Sequence, residues 1–300
     1  MLKSLFRRAA AAIGLGALLA GTTAAAKAPQ AGQPALWQVS DADTTIYLFG
    51  TIHLLPERFQ WRTAKFNQAV QNSQQLVVET IVDEKDPSKI MSAMAALAFN
   101  APNLPPLLMR VPPDKRPALA AAITKSGFPP PAFDRMETWA AAFVLLGNQY
   151  REMNLKSEEG VESVLRSSFV SQGKPIGELE TNLQQLSFFD TLPEKAQVAL
   201  LEGALADSDA ADKEFTGMLK AWSTGDVAGI GRTFDRDLAG SPDLAQALIH
   251  KRNANWSRWI EQRMAQPGAL MIAVGAGHLA GSGSVIAMLK KDGYRVRRVQ

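Results

Sequence analysis

Two of the three histidines of this chain occupy the same short frame, Gly50-Thr51-Ile52-His53 and Gly275-Ala276-Gly277-His278. Each frame follows an apolar run, Ile46-Tyr47-Leu48-Phe49 in the first and Met271-Ile272-Ala273-Val274 in the second. The pattern reads twice as a buried strand, a glycine and a histidine at the strand's mouth. Strand ends are where α/β proteins gather ligands and catalytic groups. An imidazole near neutral pH either moves a proton or holds a metal. A second echo joins the first, because Val78-Glu79-Thr80 and Leu179-Glu180-Thr181 each close an apolar segment with Glu-Thr. In chain order these strand ends present His53, Glu79, Glu180 and His278.

That set suits water activation. His53, Glu79 and His278 offer nitrogen and oxygen donors for one divalent cation (Mn, Co or Zn) with a position left for water. Such an ion lowers the pKa of its bound water and makes a hydroxide nucleophile. Glu180 is then expected as a base, or as the partner that fixes an imidazole tautomer. The same groups equally fit a metal-free site in which histidine or glutamate activates water directly. Gly50 and Gly275 are expected to let the backbone turn sharply, through positive φ where needed, and Gly277 to leave room for a ligand. Arg252 and Asn253 open a helical stretch whose Trp256, Trp259 and Ile260 face inward, so they are expected to reach the pocket and hold a carboxylate or an oxyanion. On composition alone the same pair is a solvated helix face. His250, beside Lys251, reads as surface. The chain has no H-E-x-x-H, G-x-S-x-G or P-loop pattern.

The elements that must position these groups alternate. Strands are predicted at 36–39, 45–49, 76–78, 174–179, 269–274 and 294–299, with a hairpin turn at Asp41-Ala42-Asp43. Helices are predicted at 61–74, 114–126, 136–150, 158–171 and 282–291, with several more across 182–265. The prediction is an α/β fold with a mixed, largely buried sheet flanked by helices. A proline-rich helical insertion, about 87–171, is expected as a cap over the sheet. It belongs to a single domain spanning 27–300.

The first 26 residues read as a signal peptide. Lys3, Arg7 and Arg8 precede the apolar run from Ala9 to Ala20, and Ala24-Ala25-Ala26 offers a cleavage site. Export to the periplasm or the medium is therefore expected, with no stable membrane anchor left on the mature chain. The whole chain holds 32 Lys+Arg against 29 Asp+Glu. The leader contains three of those bases and no acid, so the remainder is neutral, 29 against 29. A neutral chain lacks the basic stripe that binds phosphate backbones, which argues against a nucleic-acid partner. Cysteine is absent, so the fold rests on its core and no thiol is available for lipidation. Oligomeric state is left open.

The motifs taken together resemble the TraB/PrgY/GumN family, which is related to the Tiki metalloproteases. The matching pieces are Phe49-Gly50-Thr51-Ile52-His53-Leu54, Val77-Val78-Glu79, Gly160-Val161-Glu162, Leu179-Glu180-Thr181 with Gln185-Leu186, Arg252-Asn253 with Trp256, and Val274-Gly275-Ala276-Gly277-His278-Leu279. The resemblance implies a metal-dependent peptidase-like activity on peptides or proteins, with His53, Glu79 and His278 in the site. It also adds Glu162, an ordinary helical acid by itself, as a substrate-binding or turn residue. Two alternatives stay open. One is a metal-free esterase-like hydrolase. The other is a non-catalytic periplasmic protein that binds metal, haem or a peptide, as the more distant erythromycin-esterase-like and ChaN-like proteins suggest.

Overall fold

The computed structural model describes residues 32–82, 88–99, 103–153, 155–205 and 208–300. The expected leader and the start of the expected insertion at residue 87 lie outside them. Six strands form one mixed sheet: β1 (Leu36–Ser40), β2 (Thr44–Thr51), β3 (Gln75–Val78), β4 (Ile176–Glu178), β5 (Gly268–Gly275) and β6 (Val296–Arg298). Their spatial order is β4-β3-β5-β2-β1-β6. The four strands from β4 to β2 run parallel, whereas β1 pairs antiparallel with both β2 and β6. The predicted hairpin turn joins β1 to β2, with the Asp41 carboxylate accepting from the backbone N–H groups of Asp43 and Thr44.

The sheet is covered on both faces, and its side chains show the period of two that a strand imposes. Phe49, Leu76, Val78, Met271 and Ala273 point to one side, where they pack with Phe66 of helix Ala64–Asn72, Phe169 of helix Val161–Ser171 and Trp222 of helix Ser208–Ser223. Ile46, Leu48, Val77, Leu270, Ile272 and Val274 point to the other, against Trp256 and Ile260 of helix Lys251–Met264 and Leu289 of helix Val285–Lys291. Helix Ala64–Asn72 starts where Thr63 caps the Phe66 N–H, later than the sequence pattern suggests.

The helical body contains short helices with proline in the first turn, where it supplies the φ and loses no hydrogen bond, and one of them, Pro130–Asp134, falls in a proline run that reads in sequence as a spacer. Pro117 and Pro130 stand at such starts, and so does Pro242 later in the chain. Its buried core joins Leu119, Phe133 and Trp139 to Leu186, Phe189 and Leu200, so helices Asn182–Asp190 and Glu194–Gly203 are part of the same body. Leu54, next to His53, is in that core too, which seats the helical body over the first histidine. Among the described residues, no helix is long and apolar enough to cross a membrane.

Candidate functional site

Because β5 lies between β3 and β2, the carboxyl ends of four parallel strands meet at one edge of the sheet. Across that edge they deliver Glu180, Glu79, His278 and His53. All four are buried. A fifth group comes from the other side of the sheet. Helix Val161–Ser171 brings Glu162 onto the Nδ1 of His53, and Thr51 donates to Glu162 Oε1 at 3.0 Å. The helix can approach because residue 160 is glycine. A Cβ there would collide with the His53 carbonyl oxygen, and Val161 N–H donates to Ile52 O at 3.0 Å.

Helix Lys251–Met264 follows a π turn, Gln246–His250, a device that re-aims side chains and is common at functional sites. Its inward stripe is Arg252, Asn253, Trp256, Ser257 and Ile260. Arg252 is the hub. Its Nη2 donates to Glu79 Oε2 at 2.6 Å and also lies 2.9 Å from Glu180 Oε2. Its Nε donates to both Glu180 oxygens at 3.1 and 3.0 Å. Its Nη1 donates to His278 Nε2 at 3.2 Å and reaches Leu248 O at 3.5 Å. A guanidinium has five N–H donors, so this one is saturated by the protein. The expectation that Arg252 would hold a substrate oxygen therefore gives way to an internal role.

Glu180 is equally engaged. Besides Arg252, Trp256 Nε1 donates to its Oε1 at 3.0 Å. It clamps the guanidinium, and the expected base role has no free lone pair facing the cluster. Glu79 accepts from Gly275 N–H at 2.7 Å and from Gln185 Nε2 at 3.1 Å. Asn253 donates to Gly283 O at 2.8 Å and meets His278 Nδ1 through Oδ1 at 2.6 Å. It orients a histidine, whereas the sequence suggested that it faces a substrate.

The electrostatics follow from burial set against these partners. Burial alone would raise the Glu79 carboxyl, but Arg252 and the Gly275 N–H help hold it down at about 2. Burial lifts Glu180 above its ordinary value, Arg252 and Trp256 offset only part of the rise, and the charge of Glu79 adds to it. Burial, and then Arg252, push His278 down to about 3, so it is neutral. Burial works the same way on His53, but the adjacent Glu162 outweighs it and the value is raised.

One group among the described residues has metal-ligand geometry, and its members are His53, Glu79 and Glu162, whose donor atoms lie within 4.8 Å of one another. Glu162 stands there in place of the expected His278, whose two ring nitrogens face Asn253 and Arg252. His53 Nε2 is buried with no hydrogen-bond partner among the described residues. The set fits a divalent cation of borderline character, with one imidazole nitrogen and two carboxylates. If His53 binds through Nδ1, Glu162 is a fellow ligand. If it binds through Nε2, Glu162 is the carboxylate that holds the ring.

The glycines act through space and not through left-handed backbone, since Gly50, Gly275 and Gly277 all lack positive φ. A Cβ at Gly50 would sit 2.9 Å from Ala276 Cα, and one at Gly277 would strike the Phe234 ring. The room at Gly277 is thus taken by Phe234 and not by a ligand. His250 is exposed, as expected. Thr51, Gly160, Gln185 and Trp256 join the site unassigned by the motif reading, although all four lie inside the quoted motifs.

Fold and site define an α/β protein with a largely buried His/Glu/Glu cluster at the carboxyl ends of the parallel strands of a mixed sheet. A model of the TraB/PrgY/gumN family matches residues 35–298, and the chain belongs to that family. It is similar to the uncharacterized protein YbaP of Escherichia coli (strain K12), with 26% identity over 244 residues covering 81% of this chain and 87% of that protein. The YbaP of Shigella flexneri gives the same values. No solved structure matches the chain.

Proposed function

We propose that this protein is an exported metal-dependent hydrolase acting on peptides or proteins, with His53, Glu79 and Glu162 as the residues that hold a divalent cation. The observation that carries the reading is the buried, unpartnered Nε2 of His53 beside two carboxylates within ligand range. A bound divalent cation supplies a Lewis acid that acidifies water and polarises a carbonyl. The chain's own residues prepare for it. Arg252, Gln185 and the Gly275 N–H keep Glu79 ionised in a buried place. Thr51 and Gly160 hold Glu162 against the imidazole. The helical body limits access of bulk water and would select the substrate. The basic start and apolar run within residues 1–26 are the sequence pattern that supports export.

The same geometry favours a second reading. His53 with Nδ1 on Glu162 and Nε2 free is also a histidine–carboxylate dyad, which activates water without metal. The test is metal content and peptide-library cleavage of wild type, His53→Ala and Glu162→Gln, each after reconstitution with Mn, Co or Zn. About one equivalent in wild type, lost in both variants together with cleavage, supports the metal reading. Cleavage that survives chelation supports the dyad. Stoichiometric ligand binding with no product in wild type would leave neither.

A further inference from the structure

The two Gly-x-x-His frames look alike in sequence but diverge once folded. His53 leaves Nε2 unpartnered in a buried position. His278 has both nitrogens engaged, and its surroundings decide which of them carries the proton. Asn253 Nδ2 donates to Gly283 O at 2.8 Å, which turns Oδ1 toward the ring. An amide oxygen only accepts, so Nδ1 of His278, 2.6 Å away, is the protonated nitrogen. Nε2 of the neutral ring is then an acceptor, and the groups facing it are the Arg252 Nη1 donor at 3.2 Å and, beyond hydrogen-bond reach, Glu79 Oε1 at 3.8 Å. A proton on Nε2 would point at that donor. Trp256 packs on the ring at 4.4 Å between centroids, and Arg252 stacks over the same indole at 4.7 Å. Ring, indole and guanidinium therefore form one packed unit whose charged end touches Glu79.

We propose that the two histidines divide the work: His53 presents the free nitrogen of the site, and His278 is a positioning residue that holds the Arg252 guanidinium against Glu79 and Glu180. The first half rests on the metal reading given above. The second stands on the hydrogen bonds alone. Asn253 belongs to the second half, as the residue that selects the tautomer of His278, and the half-buried Gly283 carbonyl anchors Asn253.

The experiment is nitrogen NMR on the full chain with isotope-labelled histidine, whose three ring systems are assigned with His53→Ala and His278→Gln. In the ion-free protein at pH 7, His278 is expected to show a protonated Nδ1 and an unprotonated Nε2. The reverse tautomer, or a mixture, overturns the proposal. Asn253→Leu, which removes the acceptor, is expected to convert that single tautomer into a mixture, and an unchanged spectrum would count against the role given to Asn253. Cadmium is then added. The expected result is metal coupling on a His53 nitrogen and none on His278, with one equivalent bound by wild type and by His278→Gln and none by His53→Ala. Direct coupling to His278 overturns the proposal and leaves the metal reading intact. No bound cadmium in wild type overturns the metal reading, and the ion-free spectrum alone then decides the role of His278.

Discussion

Replacing Arg252 with methionine keeps an unbranched stem in the same helix and removes the guanidinium, leaving Glu79 and Glu180 buried without a counter-charge. Two routes give the size of the effect. The Glu79 carboxyl lies at about 2 against an ordinary 4.5. At about 1.4 kcal/mol per pH unit, that depression is worth about 3 kcal/mol at pH 7, with Arg252 the largest of the groups that produce it. Removing one partner from a buried ion pair costs about 3–5 kcal/mol. The routes agree on a loss of about 3–5 kcal/mol, or roughly 10 °C in Tm for a domain of this size. The assay is urea unfolding followed by tryptophan fluorescence at pH 7 and pH 5. In the variant, the folded carboxyls lie above their unfolded values, so their contribution improves as pH falls. Each extra bound proton narrows the gap to wild type by about 1.4 kcal/mol per pH unit, and the gap at pH 5 should be less than half that at pH 7. A loss under about 1 kcal/mol at pH 7, or a gap that does not change with pH, would refute charge compensation as the role of Arg252. A pH-independent gap would point to packing on Trp256 instead.

The remaining predictions test other joints of the site. Gly160→Ala forces the His53 carbonyl and the Glu162 helix apart. It should cost about 1–3 kcal/mol as an overpacking change and abolish stoichiometric metal binding, measured by calorimetry. His278 has a folded value near 3 against an ordinary 6.5, so the unfolded chain takes its proton first. Its contribution is complete above pH 6.5 and is lost as pH falls toward 3. His278→Gln should therefore remove a slope of up to about 1.4 kcal/mol per pH unit between pH 6 and pH 4.5 in the unfolding free energy. His53 runs the other way, because its raised value favours the folded state below pH 6.5 and the benefit is lost as pH rises through that value. Glu180→Gln weakens the clamp and leaves the His53, Glu79 and Glu162 donors in place. It should lower stability by about 1–3 kcal/mol while metal stoichiometry stays near that of wild type.

The sequence by itself determined where the strands lie and the residue types carried just beyond them, though not their bounds, since β4 and β6 are shorter than the predicted 174–179 and 294–299. Apolar runs of four to six residues, the period of two along them and the glycine before each histidine are local properties, legible without a fold. Strand β2 runs two residues beyond its apolar core, through Thr51, because pairing with β5 continues to Gly275. Tertiary structure alone decided which groups meet. Chain order suggests a symmetric His, Glu, Glu, His set, but the insertion of β5 between β3 and β2 places His278 between Glu79 and His53. It also decided that Glu162, a helical acid with no local signal, becomes the partner of His53, and that the five donors of Arg252 turn inward. Hydrogen-bond saturation depends on groups far apart in the chain: Arg252 and Glu79 are separated by 173 positions. Two histidines in matching frames could therefore not be told apart until Asn253 and Arg252 closed on one of them and left the other open.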